Sequence, residues 1–92
     1  SSAASDVYKR QYEMKALCMI SVEPGQVDKV LKILKRKRRV SKDIMVVSGR
    51  ADICVILSTN ITDINKIVID LKNINEIVST ETLIEVEVDL GW

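Results

Sequence analysis

The sequence has no histidine and no phenylalanine, one tryptophan, two tyrosines, one proline and three glycines in 92 residues. Without histidine, the commonest general base and metal ligand is missing, and with it most hydrolase triads and zinc sites. So few glycines leave no glycine-rich phosphate loop and no Walker motif. The nearest carboxylate pairs, Glu85/Glu87 and Asp63/Asp70, read as solvated faces of a strand and a helix. No catalytic residue, metal or cofactor is therefore expected. An enzyme that encloses its substrate between two copies of the chain is the third-ranked reading, and a deep pocket with a strongly perturbed carboxylate would revive it.

Long apolar runs are also missing. None exceeds about five residues, against roughly 20 for a membrane span and roughly 7–15 for the core of a secretory signal. The two cysteines, Cys18 and Cys54, have neither metal nor redox spacing, and each sits inside an apolar run as a small hydrophobe. The expectation is a cytoplasmic protein with free thiols and no membrane partner. Fourteen basic residues nearly cancel thirteen acidic ones, so no whole-molecule field gathers nucleic acid.

What is present is aliphatic: Ile, Val, Leu and Met must build the core of a single domain. Residues 1–11, small and polar, read as a flexible leader and a candidate foreign segment, with the domain spanning 12–92. "ALCMISV" (16–22) reads as a strand buried on both faces, ended by Pro24-Gly25. Val27, Val30, Leu31 and Leu34 form an i, i+3, i+4, i+7 stripe, predicting a helix that opens near Pro24 or Gly25 and stops near Val40. "DIMVV" (43–47) and "ICVIL" (53–57) read as strands joined through "SGRAD" as a hairpin. After the capping candidates "STN" (58–60), Ile64, Ile67, Val68 and Leu71 predict a second helix, and "TLIEVEV" (82–88) a strand wet on one face.

The order β-α-β-β-α-β folds most simply into an α+β ferredoxin-like sandwich: a four-stranded antiparallel sheet with two helices on one face. The first and third strands are then central. Both alternating sets of "ALCMI" and "ICVIL" are apolar, so either Leu17 and Met19 or Cys18 and Ile20, with the matching set of the third strand, must face away from the helices. Such an uncovered stripe invites association, and the cover expected is a second copy, sheet against sheet, giving at least a homodimer.

Two polar stretches are candidate sites. In Ser48-Gly49-Arg50-Ala51-Asp52, a positive-φ Gly49 exposes backbone N–H groups to a ligand carboxylate while Asp52 takes an ammonium. The alternative is that Asp52 satisfies the turn's own N–H groups. The hydroxyls of Ser79-Thr80-Glu81-Thr82 fit the lining of the same cleft, although threonine is also an ordinary strand former.

From Ala16 to Val88 the chain resembles the ligand-binding (RAM) domain of the leucine-responsive regulatory protein/AsnC (Lrp/AsnC) family of transcription regulators. The resemblance rests on Val22-Glu23-Pro24-Gly25, Val46 to Ile53 across the hairpin, Ile64-Asn65-Lys66-Ile67-Val68, and Val78-Ser79-Thr80-Glu81-Thr82-Leu83-Ile84. It implies a sheet-to-sheet homodimer, rings of dimers, and amino acids or related metabolites bound between dimers. Carried over by position, Ser48, Gly49, Arg50, Asp52, Ser79, Thr80 and Thr82 become effector contacts. Ala51 departs from the family in standing where an aromatic is usual. The N-terminal helix-turn-helix is not found, so the expectation is a stand-alone RAM domain that acts by assembly or by partnering full-length regulators.

Lys35, Arg36, Lys37, Arg38 and Arg39 form a run of five cations. A helix C-terminus favours cations by about 0.3–1 kcal/mol each, which explains the run as a solvated helix end. The competing reading is a patch for an acidic partner, nucleic acid or protein. Stacking aromatics and a spread basic face are missing, so direct DNA binding is not expected, and a nucleic-acid-binding or architectural oligomer is the second-ranked function.

Overall fold

A computed structural model of the chain describes residues 13–40 and 43–86. Its elements are β1 (Met14–Val22), α1 (Val27–Lys35), β2 (Ile44–Val46), β3 (Ile53–Thr59), α2 (Ile61–Lys72) and β4 (Ile77–Ile84). They form one antiparallel sheet in the order β2-β3-β1-β4, with both helices packed on one face. This is the βαββαβ ferredoxin-like sandwich, with β1 and β3 central. The leader predicted over 1–11 lies outside the described residues.

The core sits between helices and sheet. Ala16, Cys18, Ile20 and Val22 from β1, with Ile53, Val55 and Leu57 from β3, meet Val30 and Leu34 of α1 and Ile64, Ile67 and Leu71 of α2. Both predicted helical stripes are the buried faces. Asn60 caps α2, its side chain accepting a 2.9 Å bond from the Asp63 N–H, which satisfies one of the donors every helix start leaves open. Burial raises the thiol pKa of Cys18; the weak hydrogen bond from the Thr82 hydroxyl to its sulfur opposes this.

The structure corrects three boundaries. Pro24 and Gly25 precede α1 rather than form its first turn. Gln26 donates to the Glu23 carbonyl at 3.0 Å and Gly25 has φ +79°, the signature of a type II turn. Helix α1 ends at Lys35, not near Val40. Leu34 and Val40 are both buried, yet six residues along an α-helix is a rotation of about 240°, so one straight helix cannot turn both toward the core. The chain closes with Arg36 and Lys37 N–H groups on the Ile33 and Leu34 carbonyls and then turns to bring Val40 inward.

Strand β4 starts at Ile77, five residues before the prediction, and ends at Ile84; positions 87 and 88 of the predicted strand lie outside the described residues. The partner decides this. Ile77 to Ile84 pair with β1 from Val22 back to Ala16, and the Glu85 N–H adds one bond to the Lys15 carbonyl at 2.8 Å, beside the beginning of β1.

The face away from the helices carries Leu17 and Met19 of β1 with Cys54 and Ile56 of β3. Leu17 lies between Ile56 and Leu83, and Met19 between Cys54 and Glu81. Met45, opposite Cys54, extends the apolar strip to the β2 edge. No element of the described chain covers it.

Candidate functional site

The β2–β3 connection projects from one end of the sheet. Its neck is closed by the Val47 N–H on the Asp52 carbonyl, and the Asp52 N–H continues the β1–β3 ladder by donating to the Ile20 carbonyl, both at 2.9 Å. Gly49 sits at φ +116°, as the turn reading expects, and nothing lies within 4 Å of where a Cβ would be. Backbone strain, not crowding, is what favours glycine there. Ser48, Gly49 and Arg50 are exposed at the tip, and Ala51 is buried beneath them.

Asp52 is half-buried, and its Oδ2 accepts the Val22 N–H at 2.9 Å. The sequence left open whether this carboxylate serves a ligand or its own turn. In the described structure one oxygen does neither: it fastens the hairpin to the end of β1, where the β1–β4 register breaks between Ser21 and Val22. A side-chain acceptor at that irregularity replaces a missing ladder bond.

The hairpin also bends over the outer face of the sheet. The Ser21 hydroxyl donates to the Arg50 carbonyl at 3.3 Å, and the Arg50 guanidinium reaches across β1 to Glu81 on β4 at 3.5 Å. Ser79 is the cross-strand neighbour of Ser21. The hairpin tip, Ser79 and Glu81 thus meet at one end of the outer face. The signal for Ser21 and Glu81 is strand register, which residue spacing alone does not contain.

Thr80 and Thr82 are not part of that cluster. Because β4 already runs from Ile77, alternation turns them to the helix side. Thr82 lies opposite Cys18, to whose sulfur its hydroxyl donates at 3.8 Å. The Thr80 hydroxyl is buried without a partner among the described residues, beside a depression of about 370 Å³ lined by Lys72, Ile77, Val78 and Ser79. The expected effector contacts therefore fall on two faces of one chain: hairpin and Ser79 outside, Thr80 and Thr82 inside.

The basic run is split as well. Lys35 ends α1 and Arg36 caps it. Lys37 bonds Asp70 of α2 at 2.7 Å, and Arg39 lies 3.5 Å from Asp63. Asp63 also accepts from the Thr59 hydroxyl and the Asn60 amide. The two acids read from sequence as solvated are thus partners of this run and of the α2 cap. Such exposed pairs contribute about 0–1 kcal/mol each; what they fix is the position of the chain after α1 beside α2. Among the described residues no three potential metal ligands come together, and no helix is long and apolar enough to cross a membrane.

No protein-family model and no curated protein matches the sequence. Solved structures do match in fold. FFRP-DM1 superposes with a TM-score of 0.72 at 24% identity, over 79% of this chain and 99% of that one. AsnC of E. coli superposes with a TM-score of 0.68 at 20% identity, over 84% of this chain but 53% of its own. The leucine response regulatory protein LrpA of Mycobacterium tuberculosis gives a TM-score of 0.70 at 13% identity, over 90% of this chain and 56% of its own. The chain thus spans about half the length of AsnC and LrpA and nearly all of FFRP-DM1. Its fold is the one shared by AsnC, LrpA and FFRP-DM1, the fold that the sequence resemblance implied.

Proposed function

We propose that this domain is a sensing and assembly module of the Lrp/AsnC type: it binds an amino acid or related metabolite and self-associates through the outer face of its sheet, in the service of transcription regulation. The observation that carries the reading is the Arg50–Glu81 pair at 3.5 Å beneath the exposed hairpin tip, with Ser79 close by. Both side chains are solvent-exposed, so their attraction is weak and open to replacement. A zwitterion matches the pair: its carboxylate takes the Arg50 fork and the N–H groups of the Ser48–Gly49–Arg50 tip, and its ammonium takes Glu81. Asp52 then positions the hairpin through its Val22 bond. Thr80 and Thr82 lie on the other face of the sheet, the Thr80 hydroxyl buried and the Thr82 hydroxyl on the Cys18 sulfur, so the cleft proposed here is built without them.

Self-association rests on Leu17, Met19, Met45, Ile56 and Leu83. Burying a large aliphatic side chain yields roughly 1.5–3 kcal/mol, so this strip favours a second copy set against it. The Lys35–Arg39 run does not favour a nucleic-acid role, since Lys37 and Arg39 already face acids of α2.

Thermal unfolding in the presence of each of the twenty amino acids tests the sensing role. Ligand at 100 times its Kd stabilises by about 2.7 kcal/mol, and each kcal/mol moves the midpoint of a domain this size by roughly 4–8 °C. A selective rise for one chemical class, reduced in Arg50→Ala, is the expected result. An unchanged midpoint with all twenty contradicts the sensing role.

A further inference from the structure

One row across the outer face of the sheet is made of sulfur. Met45 of β2 lies opposite Cys54 of β3, and Cys54 lies opposite Met19 of β1. Side chains directly opposite on neighbouring strands share a face, so three adjacent strands set a thioether, a thiol and a thioether side by side. The spacing of positions 19, 45 and 54 does not announce this row; the strand register creates it.

The ladder fixes the separations. The Ile56 N–H donates to the Asp43 carbonyl at 3.0 Å, and alternation along the strands gives Cys54 and Met45 the same hydrogen-bonded relation, with Cα atoms about 5.5 Å apart. Toward β1, Cys54 and Met19 are then a pair of the other kind, about 4.5 Å apart with side chains closer. Methionine is unbranched with three rotatable bonds, so both thioethers can turn onto the Cys54 sulfur. Cys54 is a free thiol and only 8% exposed, yet it does not belong to the cluster packed between helices and sheet. Its cover is on the outer face, where Met19 and Met45 are its direct neighbours. Met45 is 49% exposed, which leaves the row accessible from the β2 edge.

Harder ligands do not gather there. Among the described residues no three cysteine, aspartate or glutamate side chains come together. Glu81, the next residue of the row beyond Met19, is held by Arg50 at 3.5 Å. The donors on offer are soft sulfurs.

From this register we infer a binding site for one soft monovalent cation, Cu(I) or Ag(I), held by the Cys54 thiolate between the Met19 and Met45 thioethers. Thiolate and thioether are the ligands that favour Cu(I) over hard cations. On binding, the Cys54 thiol releases its proton to water and its sulfur donates an electron pair to the metal. The thiolate and a monovalent ion then cancel, and a neutral complex suits a face it shares with Leu17, Ile56 and Leu83. A divalent ion would leave a net charge on that apolar surface, which is costly. Cys18 takes no part, being fully buried on the helix side of the sheet. All three ligands come from one chain, so the inference depends neither on self-association nor on the amino-acid reading of the hairpin.

The test is an Ag(I) titration, in chloride-free buffer, of the protein labelled with carbon-13 at its methionine methyls. Met14, Met19 and Met45 are the only methionines, so each methyl is an assignable reporter. About one equivalent of Ag(I) is expected to shift the Met19 and Met45 methyls and leave Met14 in place. Met19→Leu and Met45→Leu keep the apolar volume and therefore the fold. Each is expected to weaken Ag(I) by about tenfold or more in competition with a soluble chelator, the scale on which metal sites respond to lost support. Cys54→Ala is expected to abolish binding, and Cys18→Ala to leave it unchanged. Unmoved Met19 and Met45 methyls, or equal affinity in the two leucine variants, would overturn the site and reduce it to a thiol alone. Binding that survives in Cys54→Ala would overturn it as adventitious. Zn(II) held as tightly as Ag(I) would overturn the assignment to a soft monovalent ion.

Discussion

Replacing Asp52 separates the two roles that a carboxylate at the hairpin mouth can have. Its Oδ2 accepts the Val22 N–H at 2.9 Å, and Val22 is buried. Asp52→Ala removes the acceptor and leaves a donor inside the sheet with no replacement, at a cost of about 1–3 kcal/mol. At roughly 4–8 °C per kcal/mol for a domain of this size, the melting midpoint falls by roughly 4–24 °C. Asp52→Asn keeps an oxygen of the same reach but removes the charge. The bond then changes from charge-assisted to neutral, a loss of about 1 kcal/mol. Thermal and urea denaturation of the two variants, followed by circular dichroism, gives the order wild type, Asn, Ala. Equal stability of Asp52→Ala and wild type would refute the structural role of this carboxylate. The same order decides which variant serves ligand work: Asp52→Asn tests a charge contribution to binding, whereas a loss of binding in Asp52→Ala is confounded by loosening of the hairpin.

Two further outcomes follow from local contacts. Lys29 donates to Glu76 at 2.8 Å and, with the Glu76 backbone N–H, holds the Glu76 carboxyl below its ordinary pKa. A depressed carboxyl contributes stability that is complete above its unfolded pKa and is lost as pH falls through the folded one. A carbon-detected NMR titration is therefore expected to place the Glu76 midpoint below that of an unpaired glutamate, and Lys29→Met to raise it, the backbone N–H alone remaining; coincident midpoints in the two proteins would remove the linkage. Asn60→Ala deletes the α2 cap and is expected to cost about 0.5–2 kcal/mol in urea unfolding, with the slope unchanged because the surface exposed on unfolding is the same. A cost below that range would show that the neighbouring Thr59 and Asp63 groups satisfy the helix start without it.

Much of this fold is legible in the residues because its strongest signals are local. The stripes Val27/Val30/Leu31/Leu34 and Ile64/Ile67/Val68/Leu71 are helical faces that only a core can satisfy. The uninterrupted runs around Cys18 and Val55 mark the two central strands, and Gly49 marks its turn. What the residues do not contain is pairing between distant segments. The extent of β4 depends on where β1 begins, so Ser79 and Thr80, read as a lead-in, belong to the strand and point to opposite faces. The end of α1 depends on Val40 being needed in the core. Asp52 and Val22, Arg50 and Glu81, and Lys37 and Asp70 are partners because sheet and helix packing place them together. No spacing rule announces them.

The proposed self-association through the apolar outer face of the sheet is tested most directly by sedimentation equilibrium. The chain has a mass of 10.4 kDa. The wild-type protein at micromolar concentration is expected to sediment with at least twice that mass. Leu17→Glu, which sets a charge between Ile56 and Leu83 at the middle of the strip, is expected to sediment as a folded monomer. A wild-type protein that sediments at 10.4 kDa, or a Leu17→Glu variant that keeps the full assembled mass, would contradict the account.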